Sequence, residues 1–135
     1  MKKLNLLFIT ATLLLTFLGV SQLLAQLPAP TLVSPVLGAN GKVNVPIDEQ
    51  TPFMVKQTGQ GQIREFEWQD VRSPAPPGDQ WNVTSSGQTR IRFTDATEFT
   101  VYVRTISVKG DPGFHLAIPV RAWRRPKLSS PGSTA

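Results

Sequence analysis

The chain has 135 residues and a formal net charge of +5; 40% of it is apolar, 17% is charged, and it carries 12 prolines and 10 glycines. That size suits one domain, and the high Pro and Gly content argues against helical bundles and coiled coils. With no cysteine and a single histidine, disulfide frameworks, thiolate chemistry, lipid anchoring through Cys and multi-histidine metal centres are excluded.

Lys2 and Lys3 open the chain, and Leu4 to Val20 follow without a charge, ending in Ser21-Gln22-Leu23-Leu24-Ala25. A basic start, an apolar core and a small residue before the cut are the layout of a signal peptide. Residues 1–25 are therefore expected to be a signal peptide cleaved after Ala25. An uncleaved anchor is the alternative, since Leu4 to Ala25 is long enough to span a bilayer. Pro28 and Pro30 directly after it, and Thr10, Thr12, Thr16, Ser21 and Gln22 within it, favour cleavage. Both readings export the remainder, to the cell surface, the periplasm or the medium, because the two lysines hold the N-terminus inside.

The remainder, residues 26–135, has 12 basic and 9 acidic groups, a net +3. Residues 26–110 balance eight bases against eight acids, so the surplus belongs to Arg121, Arg124, Arg125 and Lys127 near the end. A basic terminus without a basic groove gives no nucleic-acid face.

Short apolar runs then recur about every ten residues. Thr31-Leu32-Val33 comes first, and Val43, Val45 and Ile47 alternate with Asn44 and Pro46. Phe53-Met54-Val55 follows, then Ile63 to Val71, where Phe66 and Trp68 share one face and Glu65 and Glu67 the other. Trp81 and Val83, Ile91 and Phe93, Phe99, Val101 and Val103, and Leu116, Ile118 and Val120 each alternate with polar or small neighbours. Period-two alternation of aromatic and β-branched residues is the half-buried strand signal. About seven such strands between regular turns predict an all-β, immunoglobulin-like sandwich over residues 26–123. The expected core is Val45, Phe53, Val55, Phe66, Trp68, Ile91, Phe93, Phe99, Val101, Val103, Leu116, Ile118 and Val120. Residues 124–135 hold Pro126, Pro131 and Gly132 and one large apolar residue, Leu128, too little to fold alone, so a basic flexible tail is expected there.

Pro30-Thr31-Leu32-Val33-Ser34-Pro35, Gly38-Ala39 and Val45-Pro46 before an apolar strand resemble the opening of bacterial fibronectin type III domains. Arg64-Glu65-Phe66-Glu67-Trp68 resembles the family's third strand, Thr97 to Arg104 with Gly110 downstream its penultimate strand and turn, and Phe114 to Trp123 its last strand. The resemblance covers roughly residues 28–123 and implies a β-sandwich used for binding. The family's core tryptophan of the second strand is replaced by Phe53-Met54-Val55, and Phe99 stands where its corner tyrosine would fall. Tyr102, three residues on, should point to the opposite face.

Four features bear on chemistry. Glu65 and Glu67, about 7 Å apart along a strand face, have the spacing of a glycosidase carboxylate pair, but Phe66 and Trp68 opposite them place both in water. His115 lies near Ser107 and Asp111, yet no nucleophile elbow accompanies them, and a solvated strand-end histidine is the expectation. Trp81, Tyr102 and Trp123 fall on outer faces or edges if Phe66 and Trp68 fill the core; they can bind sugars or flat apolar partners, or simply cap the sandwich. Arg124, Arg125 and Lys127 can meet anionic lipid, acidic polysaccharide or an acidic protein patch. Asn82-Val83-Thr84 fits the glycosylation triplet, and Asp111-Pro112-Gly113 is turn chemistry before it is a cation ligand.

These readings point to an exported, non-catalytic adhesion or binding module without metal or cofactor, whose partner is a protein or a surface polysaccharide. The first candidate contact surface is the proline-rich loop Arg72 to Gln80, and the contact residues singled out are Trp81, Tyr102, Trp123, Arg124, Arg125 and Lys127. A carbohydrate-binding module or an accessory domain of a secreted hydrolase is the alternative.

Overall fold

A computed structural model describes residues 26–126. The proposed signal peptide, Lys127 and the rest of the tail lie outside the described residues. Eight strands form: β1 (Thr31–Ser34), β2 (Val43–Pro46), β3 (Gln50–Lys56), β4 (Ile63–Arg72), β5 (Asn82–Thr84), β6 (Gln88–Arg92), β7 (Glu98–Ser107) and β8 (Leu116–Trp123). They make a three-stranded sheet, β1-β3-β6, and a five-stranded sheet, β2-β8-β7-β4-β5. No helix is present among the described residues. The protein is an all-β sandwich.

The eighth strand comes from the first apolar runs. β1 pairs antiparallel with β3 in one sheet, while β2 pairs parallel with β8 in the other. Pro35 ends the first run, and the turn at Gly38–Gly41, where Gly41 has φ +76°, carries the chain across. Positive φ costs glycine nothing.

Alternation places the core. Of the thirteen expected inward residues, all but Ile91 and Leu116 are buried, and those two pack half-buried against the cluster. Ile91 lies on β6, the last strand of its sheet, so one flank has no neighbour to cover it. Leu116 is the first residue of β8 and pairs with Val103 at the end of that ladder. Val43, Ile47 and Ala122 are additional core members, since the parallel register sets Val43 beside Val120 and Val45 beside Ala122. Phe93 sits between Phe53 (centroids 6.4 Å, edge-on) and Phe99 (4.9 Å, tilted), separations at which aromatic pairs add to simple burial. Phe99 thus serves as a core ring. The buried Trp68 ring satisfies its polar end, Nε1 donating to Thr84 Oγ1 at 2.8 Å, and Thr84 in turn donates to the Ser86 carbonyl at 2.7 Å.

A Cβ at Gly87 would overlap the Val55 carbonyl. The bare backbone there lets the Gly87 carbonyl accept the Val55 amide at 2.8 Å, and that bond starts the β3–β6 ladder.

Candidate partner-binding surface

The register of β4, β7 and β8 assembles the outer face of the five-stranded sheet from residues far apart in sequence. Glu67 lies opposite Arg104 and opposite Val83; Gln69 lies opposite Tyr102, and Tyr102 opposite Ala117. Arg104 Nε donates to Glu67 Oε1 at 2.8 Å, and its guanidinium covers the Trp81 ring, 4.1 Å from the centroid. Both partners are mostly covered, with side-chain exposures of 26% and 17%, so this ion pair and cation–π stack keep more of their strength than an exposed pair would. The Tyr102 ring meets His115 edge-on at 5.1 Å.

The proline-rich segment after β4 folds back over this face. Gln69 points outward by alternation yet is buried, because its amide holds the segment down. Gln69 Nε2 donates to the Gly78 carbonyl (3.1 Å) and the Gln80 carbonyl (2.9 Å), and Oε1 accepts the Gly78 amide. Tyr102 Oη donates to the Ala75 carbonyl at 2.6 Å, the Ser73 and Thr100 hydroxyls share a bond of 2.6 Å, and the Ser73 amide bonds the Glu98 carbonyl at 3.0 Å. Pro74 and Pro76 remain exposed, and with Tyr102 and Thr100 they border a hollow of about 400 Å³. The fixed φ of proline and these bonds order the loop, so that a molecule docking on it would cost less loop entropy.

Of the six contact residues singled out from sequence, all but Lys127 lie among the described residues. Trp81 and Tyr102 do lie on the outer face, but one ring is covered by Arg104 and the other's hydroxyl is used to hold the loop. Trp123 stands at the far end of β8, opposite Pro46 and 38% exposed. Two residues beyond Thr100's partner Pro119, at Arg121, the face turns cationic. Lys42 bonds Glu98, and Arg121 Nη1 lies 3.9 Å from the same carboxylate. The Lys42 hydrogen bond and charge, with Arg121 behind them, hold the Glu98 carboxyl below its ordinary range. Arg124 and Arg125 are exposed. Arg125 Nε meets Glu49 Oε2 at 2.9 Å and its guanidinium stands 5.9 Å from the Trp123 ring, which ties the start of the tail to the sandwich.

Glu65 and Glu67 are not free in water. Both are half-buried, Glu65 with Arg64 and Glu67 with Arg104. Covalent neighbours and the β7 register supply these partners, and each carboxylate is neutralised by a guanidinium. His115 is exposed; Ser107 Oγ accepts the Asp111 amide at 3.1 Å inside the turn, so its hydroxyl serves the turn. Asn82 and Val83 are exposed on β5 while the Thr84 hydroxyl is engaged by Trp68. Among the described residues no group of three or more His, Asp or Glu side chains is placed to hold a metal ion.

Arg104 and Gln69 are contributors that sequence reasoning missed. The signal for Arg104 was its outward phase on the same face as Glu67; nothing local marks Gln69, whose burial depends on a loop returning over it. No protein-family model matches the chain, and no curated protein matches it in sequence.

Proposed function

We propose that this chain is an exported, non-catalytic binding module with a fibronectin III-like sandwich, and that it meets a protein or polysaccharide of the cell surface or envelope through the loop Ser73–Gln80. The observation that carries the reading is the loop's attachment: a buried glutamine, a tyrosine and a serine–threonine pair fix a proline-rich backbone over the sheet. A connection that needed only to join β4 to β5 would not require Pro74 and Pro76 held outward beside a hollow. The family reading is supported by the strand arrangement, in which the first, third and sixth strands face a sheet built on the seventh, and by the exported layout of residues 1–25. Two departures stand against it: Phe53-Met54-Val55 in place of the second strand's tryptophan, and Phe99 at the corner position, while Tyr102 holds a loop 27 residues upstream instead.

Retention of the purified protein on envelope fragments tests the reading. Pro76→Asp, an exposed change, should abolish retention with an unchanged melt, and Tyr102→Phe should weaken it by freeing the Ala75 carbonyl. Equal retention by all three proteins would remove the loop as the contact surface. Competition by soluble glycans, with quenching of tryptophan emission, would shift the reading to a carbohydrate-binding module.

A further inference from the structure

A second surface lies on the opposite sheet, independent of the loop. β6 is the terminal strand of its sheet and pairs only with β3. In an antiparallel ladder, residues alternate between pairs that exchange both backbone bonds and pairs that exchange none. The bond from the Val55 amide to the Gly87 carbonyl fixes the phase: Thr89 opposite Phe53 and Ile91 opposite Thr51 are the bonded pairs. Pro52, which has no amide hydrogen to give, falls opposite Arg90, as this phase requires. The amides and carbonyls of Gln88, Arg90 and Arg92 therefore point away from β3, along an open edge.

The same residues carry the charge. Gln88, Arg90 and Arg92 are exposed on the outer face. Lys42, Arg64, Arg72, Arg104, Arg121 and Arg125 have a carboxylate within salt-bridge range, whereas among the described residues Arg90 and Arg92, like Lys56, Lys109 and Arg124, have none. On the inner side of this edge a largely polar groove of about 250 Å³ opens between β6 and the β4–β5 pair, with the half-buried Thr89 and Ile91 on one wall and Trp68, Gln69, Asp70 and Asn82 on the other. The other strand edges are blunted. β1 carries a register break and ends at Pro35, β2 contains Pro46, and β5 is three residues long; short or proline-bearing edges resist added strands.

We propose that β6 accepts an extended acidic segment of a partner protein as an added antiparallel or parallel strand, with the segment's carboxylates beside Arg90 and Arg92 and its alternate apolar side chains over the groove at Ile91. Three features converge on one occupant. The main-chain edge demands an extended peptide, the unpaired guanidiniums demand anions on its outer face, and the groove, with Ile91 on one wall and the Asp70 carboxyl on the other, takes small uncharged side chains on its inner face. Arginines on an edge also deter self-association, because two copies would bring like charges together; that leaves an acidic strand as the complement.

The probe is a short blocked peptide alternating glutamate and valine, added to isotope-labelled protein while amide exchange is followed residue by residue. Exchange of the Gln88, Arg90 and Arg92 amides should slow by about tenfold or more, a factor worth about 1.4 kcal/mol, and the effect should shrink as salt rises. A peptide N-methylated at alternate amides should fail, as should one with lysine in place of glutamate. Arg90→Glu with Arg92→Glu should reverse the preference, losing the glutamate peptide and gaining the lysine peptide; a thermal melt checks that this variant is folded. No slowing at the three amides with the unmodified peptide would overturn the proposal. So would equal effects from the N-methylated peptide or from chondroitin sulfate, which would show simple anion binding to the two arginines. Failure of the loop to retain envelope fragments would leave this edge untouched, so the two surfaces are tested separately.

Discussion

On the outer face of the five-stranded sheet the charged side chains are matched: Arg104 with Glu67, and Lys42 and Arg121 with Glu98. On the three-stranded sheet Lys56, Arg90 and Arg92 have no carboxylate partner among the described residues, and the strand that bears two of them has no neighbour on one side. The first face spends its polar groups on itself, and what it offers outward is a loop held in one shape. The second offers unspent hydrogen bonds and unspent charge. The two proposals draw on these two sides in different ways: recognition by a rigid shape on one, and strand addition on the other.

The largest effect should come from the layer that both faces share. Trp68 is 1% exposed, and Trp68→Ala should cost about 3–5 kcal/mol in denaturant melts, the usual range for losing a buried large aromatic. Next comes the attachment of the loop. Gln69→Leu removes three hydrogen bonds and should cost about 1–3 kcal/mol, with amides of residues 73–80 exchanging faster while those of β6 do not change. A smaller effect is expected for the matched ion pair: a double-mutant cycle on Glu67→Gln and Arg104→Met should give a coupling of about 1 kcal/mol, larger than the coupling of the more exposed Arg64 with Glu65. Arg90→Ala and Arg92→Ala, lacking partners, should each stay within about 0.5 kcal/mol. A loss there as large as at Arg104 would break the comparison.

Acidity sharpens it further. Asp70 is exposed at the groove mouth, and partial desolvation there raises its carboxyl above the ordinary range, with its own backbone hydrogen bond opposing. The native state therefore holds this proton more tightly than the unfolded chain does, so Asp70 favours folding in acid and its contribution falls as pH rises through the native pKa. Asp70→Asn should raise the melting temperature at neutral pH, with the gain vanishing below the ordinary carboxylate range. Glu98 is the mirror case. Its carboxyl is held low by Lys42, so its contribution is present above the ordinary carboxylate range and lost as pH falls through the lowered pKa; Glu98→Gln should lower the neutral-pH melt and leave the acid melt unchanged.

The inner layer was legible in the sequence because alternation is local: Phe66 and Trp68, or Val101 and Val103, reveal their face within a few residues. The misplacements trace to position in the sheet. Ile91 has the phase of a core residue and is half-buried only because β6 is an edge. Val43 and Ala122 enter the core through a parallel pairing across some eighty residues, which periodicity does not show. The outer face was legible in membership, since Trp81, Tyr102 and Trp123 fall outside the core phase, but not in use. Whether Arg104 meets Glu67, or Gln69 meets the Gly78 carbonyl, depends on register between strands and on a loop that turns back; neither leaves a mark in a window of ten residues.

Amide hydrogen exchange of the free protein in dilute solution tests the central contrast directly. The account predicts slow exchange at Gly78, whose amide is bound by Gln69, and at Thr89 and Ile91, which face β3. It predicts rapid exchange at Gln88, Arg90 and Arg92, whose amides face solvent. Protection at these three amides in the monomer, or a Gly78 amide that exchanges as fast as they do, would contradict it.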